Sequence, residues 1–250
     1  MNNSPTVLEI DLSSVKHNLD FFRSELKEKT HVMAVVKASG YGSDALLMAE
    51  FLEDKVDYFA VAYVDQGIAL RKHGIETPIL VLHPQLTNLH LMHPYGLEPN
   101  LYSKKVLMKF IEIAAEQKLD QYPVHLKFNT GLNRLGFNFS DLSFLHSKLS
   151  DISTIKVRSI FSHLLASEDQ QARKLNLQQI SRFNSIANSF NDLFGFYPLK
   201  HMCNTSGTLN FPEAHFDMVR LGIGLYGFAN QKVSTDKLKN VLRLKSLISQ

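Results

Sequence analysis

What most constrains this chain is a rhythm. From about residue 31 to residue 221, short β-branched apolar runs alternate with amphipathic stretches of helical spacing, and no Pro/Gly/Ser-rich linker or low-complexity segment interrupts them. Eight runs read as strands: His31 to Ala38, Tyr58 to Tyr63, Pro78 to His83, Leu97 to Tyr102, Tyr122 to Asn129, Ile155 to His163, Leu199 to Asn204 and Met218 to Leu221. Between them, Ser103 to Lys118 carries Val106, Phe110 and Ile113 on one stripe, and Gln178 to Phe194 carries Ile180, Phe183, Ala187 and Phe190. An opening helix, with Ser13 as its expected N-cap, presents Val15, Leu19, Phe22 and Leu26. Eight strands alternating with helices over 250 residues predict one α/β domain, a (β/α)8 TIM barrel. A doubly wound open sheet shares this local rhythm, but no GxGxxG follows the first strand; "KASGYG" stands there instead.

A barrel makes its own prediction, because reactive groups of such folds sit at the C-terminal ends of the strands. The first strand ends at Lys37, the fifth carries Lys127 with Arg134 just beyond, and the sixth ends at His163. The seventh ends at Asn204 and the eighth carries Arg220. These positions bring two lysines, two arginines, a histidine and an asparagine together without a carboxylate, a mouth suited to an anion. Gly207, Gly222 and Gly224 follow the last two strands, where this fold commonly cradles phosphate, and Thr205 and Ser206 add hydroxyls. A lysine at a strand end often lies along the rim with its ammonium in water. Among other cations and partly buried, it becomes a candidate nucleophile for a Schiff base. The phosphate-bearing aldehyde that condenses with lysine is pyridoxal phosphate.

Composition narrows the function classes. Charge is nearly balanced, with 27 basic and 24 acidic residues and no Lys/Arg block, so no nucleic-acid partner is expected. No apolar run is long enough to span a bilayer and the N-terminus lacks a signal-peptide pattern, which gives the expectation of a cytoplasmic protein without a membrane partner. The single cysteine, Cys203, excludes an internal disulfide and reads as a buried filler. His83, His90 and His93 lie close in sequence but lack an acidic partner, so no metal site is expected.

"AVVKASGYG" at 34–42 resembles the pyridoxal phosphate attachment motif of bacterial alanine racemases. The likeness extends through "TVLEIDLSSVKHNL", "LKFNTGLNRLGF" and "FDMVRLGIGLYG" over almost the whole chain. The resemblance implies a fold-type III barrel, followed in the family by a mostly β C-terminal domain. It also implies a homodimer that interconverts L- and D-alanine for peptidoglycan and the cell wall. By the same motifs, Lys37 would hold pyridoxal 5'-phosphate and act as the base on one face of the substrate. Tyr41, Thr205 and the backbone of Gly222 and Ile223 would bind the phosphate, with Asn204 supporting them. Arg220, backed by His163, would donate to the pyridine nitrogen. Arg134 would sit near the substrate carboxylate, and Lys127 occupies the position that family members often carbamylate.

The sequence also departs from the family pattern. The common "AYGHG" reads "GYGSD", "DTGM" reads "NTGL" with Asn129 in place of the acid, and Cys203 replaces a small residue before Asn204. "AVAYVDQGIALRKHGI" resembles racemase domains fused behind a peptidoglycan Mur ligase. The expected division is a cofactor-binding barrel over 1–238 and, over 239–250, the first strand of the C-terminal β domain, whose remainder and second-base tyrosine this sequence does not contain. The expectation is therefore an alanine racemase barrel that is slow by itself. The main alternative is a single-domain pyridoxal phosphate homeostasis protein without racemase activity. A decarboxylase of the same fold would place a carboxylate, not Arg220, on the pyridine nitrogen.

Overall fold

A computed structural model describes residues 5–230 and 236–248. Its ten strands are β1 (Thr6–Ile10), β2 (His31–Val35), β3 (Tyr58–Val61), β4 (Ile79–Val81), β5 (Leu97–Leu101), β6 (Tyr122–Lys127), β7 (Ile155–Phe161), β8 (Leu199–His201), β9 (Met218–Leu221) and β10 (Leu242–Ser246). Strands β2 to β9 pair in sequence order and close into a barrel, with β2 parallel to both β3 and β9. All eight expected strands are there, and the open sheet is excluded by that closure.

Strands β2 to β4 are almost wholly apolar because both of their faces are buried, one against the helices and one inside the barrel. Alternation sorts the two faces. Val32, Ala34 and Val36 join the cluster beneath the helices, whereas Met33 and Val35 join Tyr58, Ala60, Leu80 and Met218 in a separate cluster inside. The helix Arg173–Phe194 buries Ile180, Phe183, Ala187 and Phe190, the stripe read from the sequence, and Lys104–Glu116 likewise buries Val106, Phe110 and Ile113.

Three local expectations are corrected. The first helix, Leu12–Ser24, is capped by Asp11 rather than Ser13: the Asp11 carboxylate accepts from the backbone N–H of Ser13 and Ser14 at 2.9 and 3.2 Å. The first barrel strand stops at Val35, short of Ala38, because Ala38, Ser39, Gly40 and Tyr41 all have φ between 52° and 62° and wind one left-handed turn. The seventh stops at His201, and Asn204 instead caps the short helix Thr205–Asn210, its side chain accepting from Gly207 N–H at 2.8 Å.

Outside the barrel, β10 pairs antiparallel with β1, from Thr6 opposite Ser246 to Ile10 opposite Leu242. The strand expected in 239–250 thus has its partner at the start of the chain; residues 249 and 250, and 231–235 within the expected barrel, lie outside the described residues. No helix among the described residues is long and apolar enough to cross a membrane.

Candidate active site

The C-terminal ends of the strands surround a cavity of about 750 Å³. Of the residues singled out from the sequence, Lys37, Tyr41, Lys127, Arg134, His163, Asn204, Thr205, Ser206, Arg220, Gly222 and Ile223 line it, whereas Gly207 and Gly224 do not. Alternation explains much of this convergence. Lys37 shares its parity with the inward-facing Met33 and Val35, Arg220 with Met218, and His163 with Phe161. The carboxylate-free mouth needs one correction, since the exposed Glu168, on the loop after β7, stands at the rim.

Arg220 is the most constrained of these groups. Its Nη1 donates to His201 Nδ1 at 2.7 Å, and its Nη2 donates to the Ser162 and Met202 carbonyls at 2.8 and 2.9 Å and to His163 Nδ1 at 3.1 Å. Its Nε–H has no partner among the described residues, which leaves that donor for a ligand. Burial pushes the guanidinium down to about 10, so it remains charged at neutral pH. His163 and His201 are both held well below the ordinary histidine value, first by burial and then by Arg220, and so accept as neutral rings.

Lys127 is 7% exposed, and its ammonium lies 5.6 Å above the Phe161 ring. Burial, followed by the charges of Arg220, Arg134 and Lys37, brings its amine down to about 7. Asn129 does not reach it: the Asn129 carbonyl oxygen accepts from the N–H groups of Gly131 and Asn133 at 3.1 and 3.0 Å and shapes the loop that carries Arg134.

Opposite these cations lies a hydroxyl and backbone cradle. Thr205 Oγ1 accepts from Gly222 N–H at 3.3 Å and from Gly224 N–H at 3.2 Å. A Cβ on Gly222 would fall 2.2 Å from the Tyr41 hydroxyl, so only glycine lets Tyr41 rest on this backbone. The left-handed turn after Lys37 is what swings Tyr41 to that place, against Tyr226 at a ring separation of 5.1 Å. Asn204 Oδ1 also accepts from Ser167 Oγ at 2.8 Å, which ties the cradle to the loop bearing Glu168.

Sequence reading missed His201 as a site residue. It also considered His83 only as a metal ligand, whereas the ring stacks on Tyr102 at 5.2 Å and lines the cavity beside Tyr63. No group of three or more His, Cys, Asp or Glu side chains among the described residues could hold a metal ion. Cys203 is buried, its thiol pushed up to about 12 by burial, and Sγ donates to the Ala214 carbonyl at 3.1 Å.

The N-terminal domain of alanine racemase matches residues 10–230 of this sequence. The chain belongs to the alanine racemase family. It is 34% identical to alanine racemase 2 of Oceanobacillus iheyensis over 252 residues, covering 98% of this chain and 61% of that protein. The alanine racemase of Synechocystis sp. is also 34% identical, over 97% of this chain and 66% of that one. Among solved structures, the Clostridium difficile alanine racemase in complex with cycloserine superposes with a TM-score of 0.92 at 28% identity, covering 98% of this chain and 69% of the other. The chain thus spans a little under two thirds of the length of the curated relatives it matches.

Proposed function

We propose that this chain is the cofactor-binding barrel of a pyridoxal phosphate-dependent alanine racemase, with the cofactor on Lys37 and L- and D-alanine as the interconverted pair. The observation that carries the reading is the cavity itself, where four cations share the lining with the Tyr41 and Thr205 hydroxyls and the backbone of Gly222 and Ile223. Such a cradle fits a phosphate monoester: the Tyr41 and Thr205 hydroxyls and the backbone at Gly222 and Ile223 would hold it, and Asn204 would brace them through its cap on Gly207. Arg220 would offer its free Nε–H to the pyridine nitrogen. A guanidinium with a value near 10 keeps its own proton and donates only a hydrogen bond. When bound, the cofactor supplies the electron sink that makes the α-proton of the amino acid acidic.

Lys37 removes and returns that proton on one face, and Arg134, exposed at the rim, takes the substrate carboxylate. The half-neutral Lys127 amine is suited to carbamylation, which would place one negative charge among Arg134, Arg220 and Lys37. Racemisation requires a second proton donor on the opposite face. Tyr226 is 1% exposed and packs behind Tyr41 rather than lining the cavity, so residues 1–250 by themselves are expected to exchange the α-proton faster than they form the other enantiomer.

Borohydride reduction after loading with pyridoxal phosphate, followed by peptide mapping, is expected to label Lys37. A label on another lysine, or none with cofactor in excess, rejects the assignment. Incubation with L-alanine in deuterium oxide then separates racemase from binding protein. Exchange at Cα supports the racemase; cofactor binding with neither exchange nor D-alanine supports the homeostasis alternative.

A further inference from the structure

One residue from each of five consecutive strands, β5 to β9, joins a single hydrogen-bonded chain across the barrel interior. Arg220 Nη1 meets His201 Nδ1 at 2.7 Å, His201 Nε2 meets Ser159 Oγ at 2.9 Å, Ser159 Oγ meets His125 Nδ1 at 2.6 Å, and His125 Nε2 meets Glu98 Oε2 at 2.6 Å. His201, Ser159 and His125 are completely buried, and Arg220 and Glu98 are 5% and 9% exposed. None of these links except Arg220 faces the mouth as a cavity-lining residue.

With both imidazoles neutral, the two ends fix the direction of every hydrogen. A guanidinium only donates and an ionised carboxylate only accepts. His201 must therefore present a bare Nδ1 to Arg220 and carry its proton on Nε2. Ser159 accepts that proton and donates its own to His125 Nδ1, so His125 also carries its proton on Nε2 and gives it to Glu98. Near the far end the Tyr58 hydroxyl accepts from Arg158 Nε at 3.2 Å, and burial together with the charge of Glu98 pushes it up to about 12. Phe161 stacks on His201 at 4.6 Å with an interplanar angle of 5°, which holds the ring in the plane the chain requires.

We propose that Glu98 is a positioning residue for Arg220: as terminal acceptor it fixes the His125 proton on Nε2, so that Ser159 donates to His125 and accepts from His201 Nε2–H, which orients the His201 ring beneath the guanidinium and so aims the free Nε–H into the cavity. The inference rests on the pyridoxal phosphate reading only for its effect on ligand affinity. Its tautomer consequence belongs to the ligand-free protein.

The test uses the whole chain, labelled with nitrogen-15 at histidine, and long-range ring correlation spectra without ligand. Both His125 and His201 are expected as Nε2–H tautomers. In Glu98→Leu, His125 loses its acceptor and is expected to move its proton to Nδ1, toward Ser159, while His201, pinned by Arg220, keeps Nε2–H. Glu98→Gln, whose amide oxygen can still accept, is expected to restore the original His125 tautomer. Absorbance titration with pyridoxal phosphate is expected to show about fivefold weaker binding in Glu98→Leu and under about twofold in Glu98→Gln. An unchanged His125 in Glu98→Leu overturns the proposal, as does a switch in Glu98→Gln equal to that in Glu98→Leu.

If Glu98→Leu does not fold, Ser159→Ala cuts the same chain with a methyl-sized residue. It is expected to weaken pyridoxal phosphate binding by about the same fivefold and to leave His125 as Nε2–H on Glu98. Wild-type affinity in Ser159→Ala overturns the proposal. Should the wild-type protein bind no pyridoxal phosphate, the functional reading fails and the tautomers alone decide the role of Glu98.

Discussion

The barrel interior has two unlike halves. On β2, β3 and β4 the inward positions are mostly apolar, with Met33, Val35, Ala60 and Leu80 packed around Tyr58. On β5 to β9 they include Glu98, Asn100, His125, Lys127, Ser159, His201 and Arg220, all buried and polar, beside the apolar Phe161 and Met218. Both halves fill the same kind of space, so volume does not explain the difference. The apolar half supports the strand that leads into Lys37, a side chain with no hydrogen-bond partner among the described residues. The polar half holds Arg220 in place through specific partners, at the cost of burying it.

That contrast is sharpest where a side chain contributes only packing. Met33 is completely buried inside the apolar half, and Met33→Ala is expected to destabilise the protein by about 2–5 kcal/mol through lost contacts and a residual cavity. Urea unfolding measures the loss, while the affinity of the surviving folded protein for pyridoxal phosphate stays within about twofold. A large loss of affinity at small loss of stability would show that the apolar half, too, aims site residues.

The converse substitution makes the polar half resemble the apolar one. An unfolded chain keeps Lys127 protonated up to its ordinary 10.5, whereas the folded amine gives up its proton near 7. Between those values the unfolded state binds the extra proton, so stability rises with pH; below about 7 the cost of the buried charge is fully present. Lys127→Met should therefore stabilise the carbon dioxide-free protein at pH 6 by roughly 1–4 kcal/mol, with the gain fading as the pH approaches 10. Denaturant midpoints of both proteins across this range provide the check, and a pH-independent difference rejects the account of Lys127.

The apolar half was legible in the sequence because parallel strands buried on both faces read as uninterrupted runs such as "HVMAV" and "YFAV". The site was legible as well, since strand ends collect the reactive residue types whichever way the intervening helices pack. Other features depended on closure. Glu98 in "LEPNL" looks like the polar start of a strand until the barrel places it across from His125. The short strand β1 has a partner some 236 residues away, beyond the reach of any local pattern. The left-handed turn was hidden for a different reason: two glycines announced a bend, but Ala38, Ser39 and Tyr41 adopt positive φ themselves, held there by surroundings rather than by intrinsic preference.

At the top of β9 the polar half meets packed rings. A Cβ on Gly224 would lie 2.5 Å from Phe22 Cζ and 2.6 Å from Thr205 Cγ2, and Phe22 is fully enclosed in the core. Neither neighbour can withdraw, so Gly224→Ala is expected to cost about 1–3 kcal/mol as an overpacked site. Thermal unfolding measures it, and a neutral result would mean that the turn after β9 is looser than its contacts.

Gly222, two residues earlier, should behave differently, because it lies on the seam where β9 of the polar half pairs with β2 of the apolar one. Its alanine Cβ would meet the Tyr41 hydroxyl at 2.2 Å and Cζ at 3.0 Å. Those atoms are the tip of a half-buried ring, which can swing aside. The expected stability change in Gly222→Ala is under about 1 kcal/mol, the smallest of the four. Moving the ring, however, withdraws the Tyr41 hydroxyl from the cradle, and a hydrogen bond to a charged group is worth about 1.5–3 kcal/mol. Affinity for pyridoxal phosphate should then fall about 10- to 100-fold while the melting temperature barely moves. If affinity holds at the wild-type level, Tyr41 is not a phosphate donor and the seam serves packing alone; if the melting temperature drops as far as in Gly224→Ala, the ring is as fixed as Phe22 and the two sides of the barrel are locked together at this point.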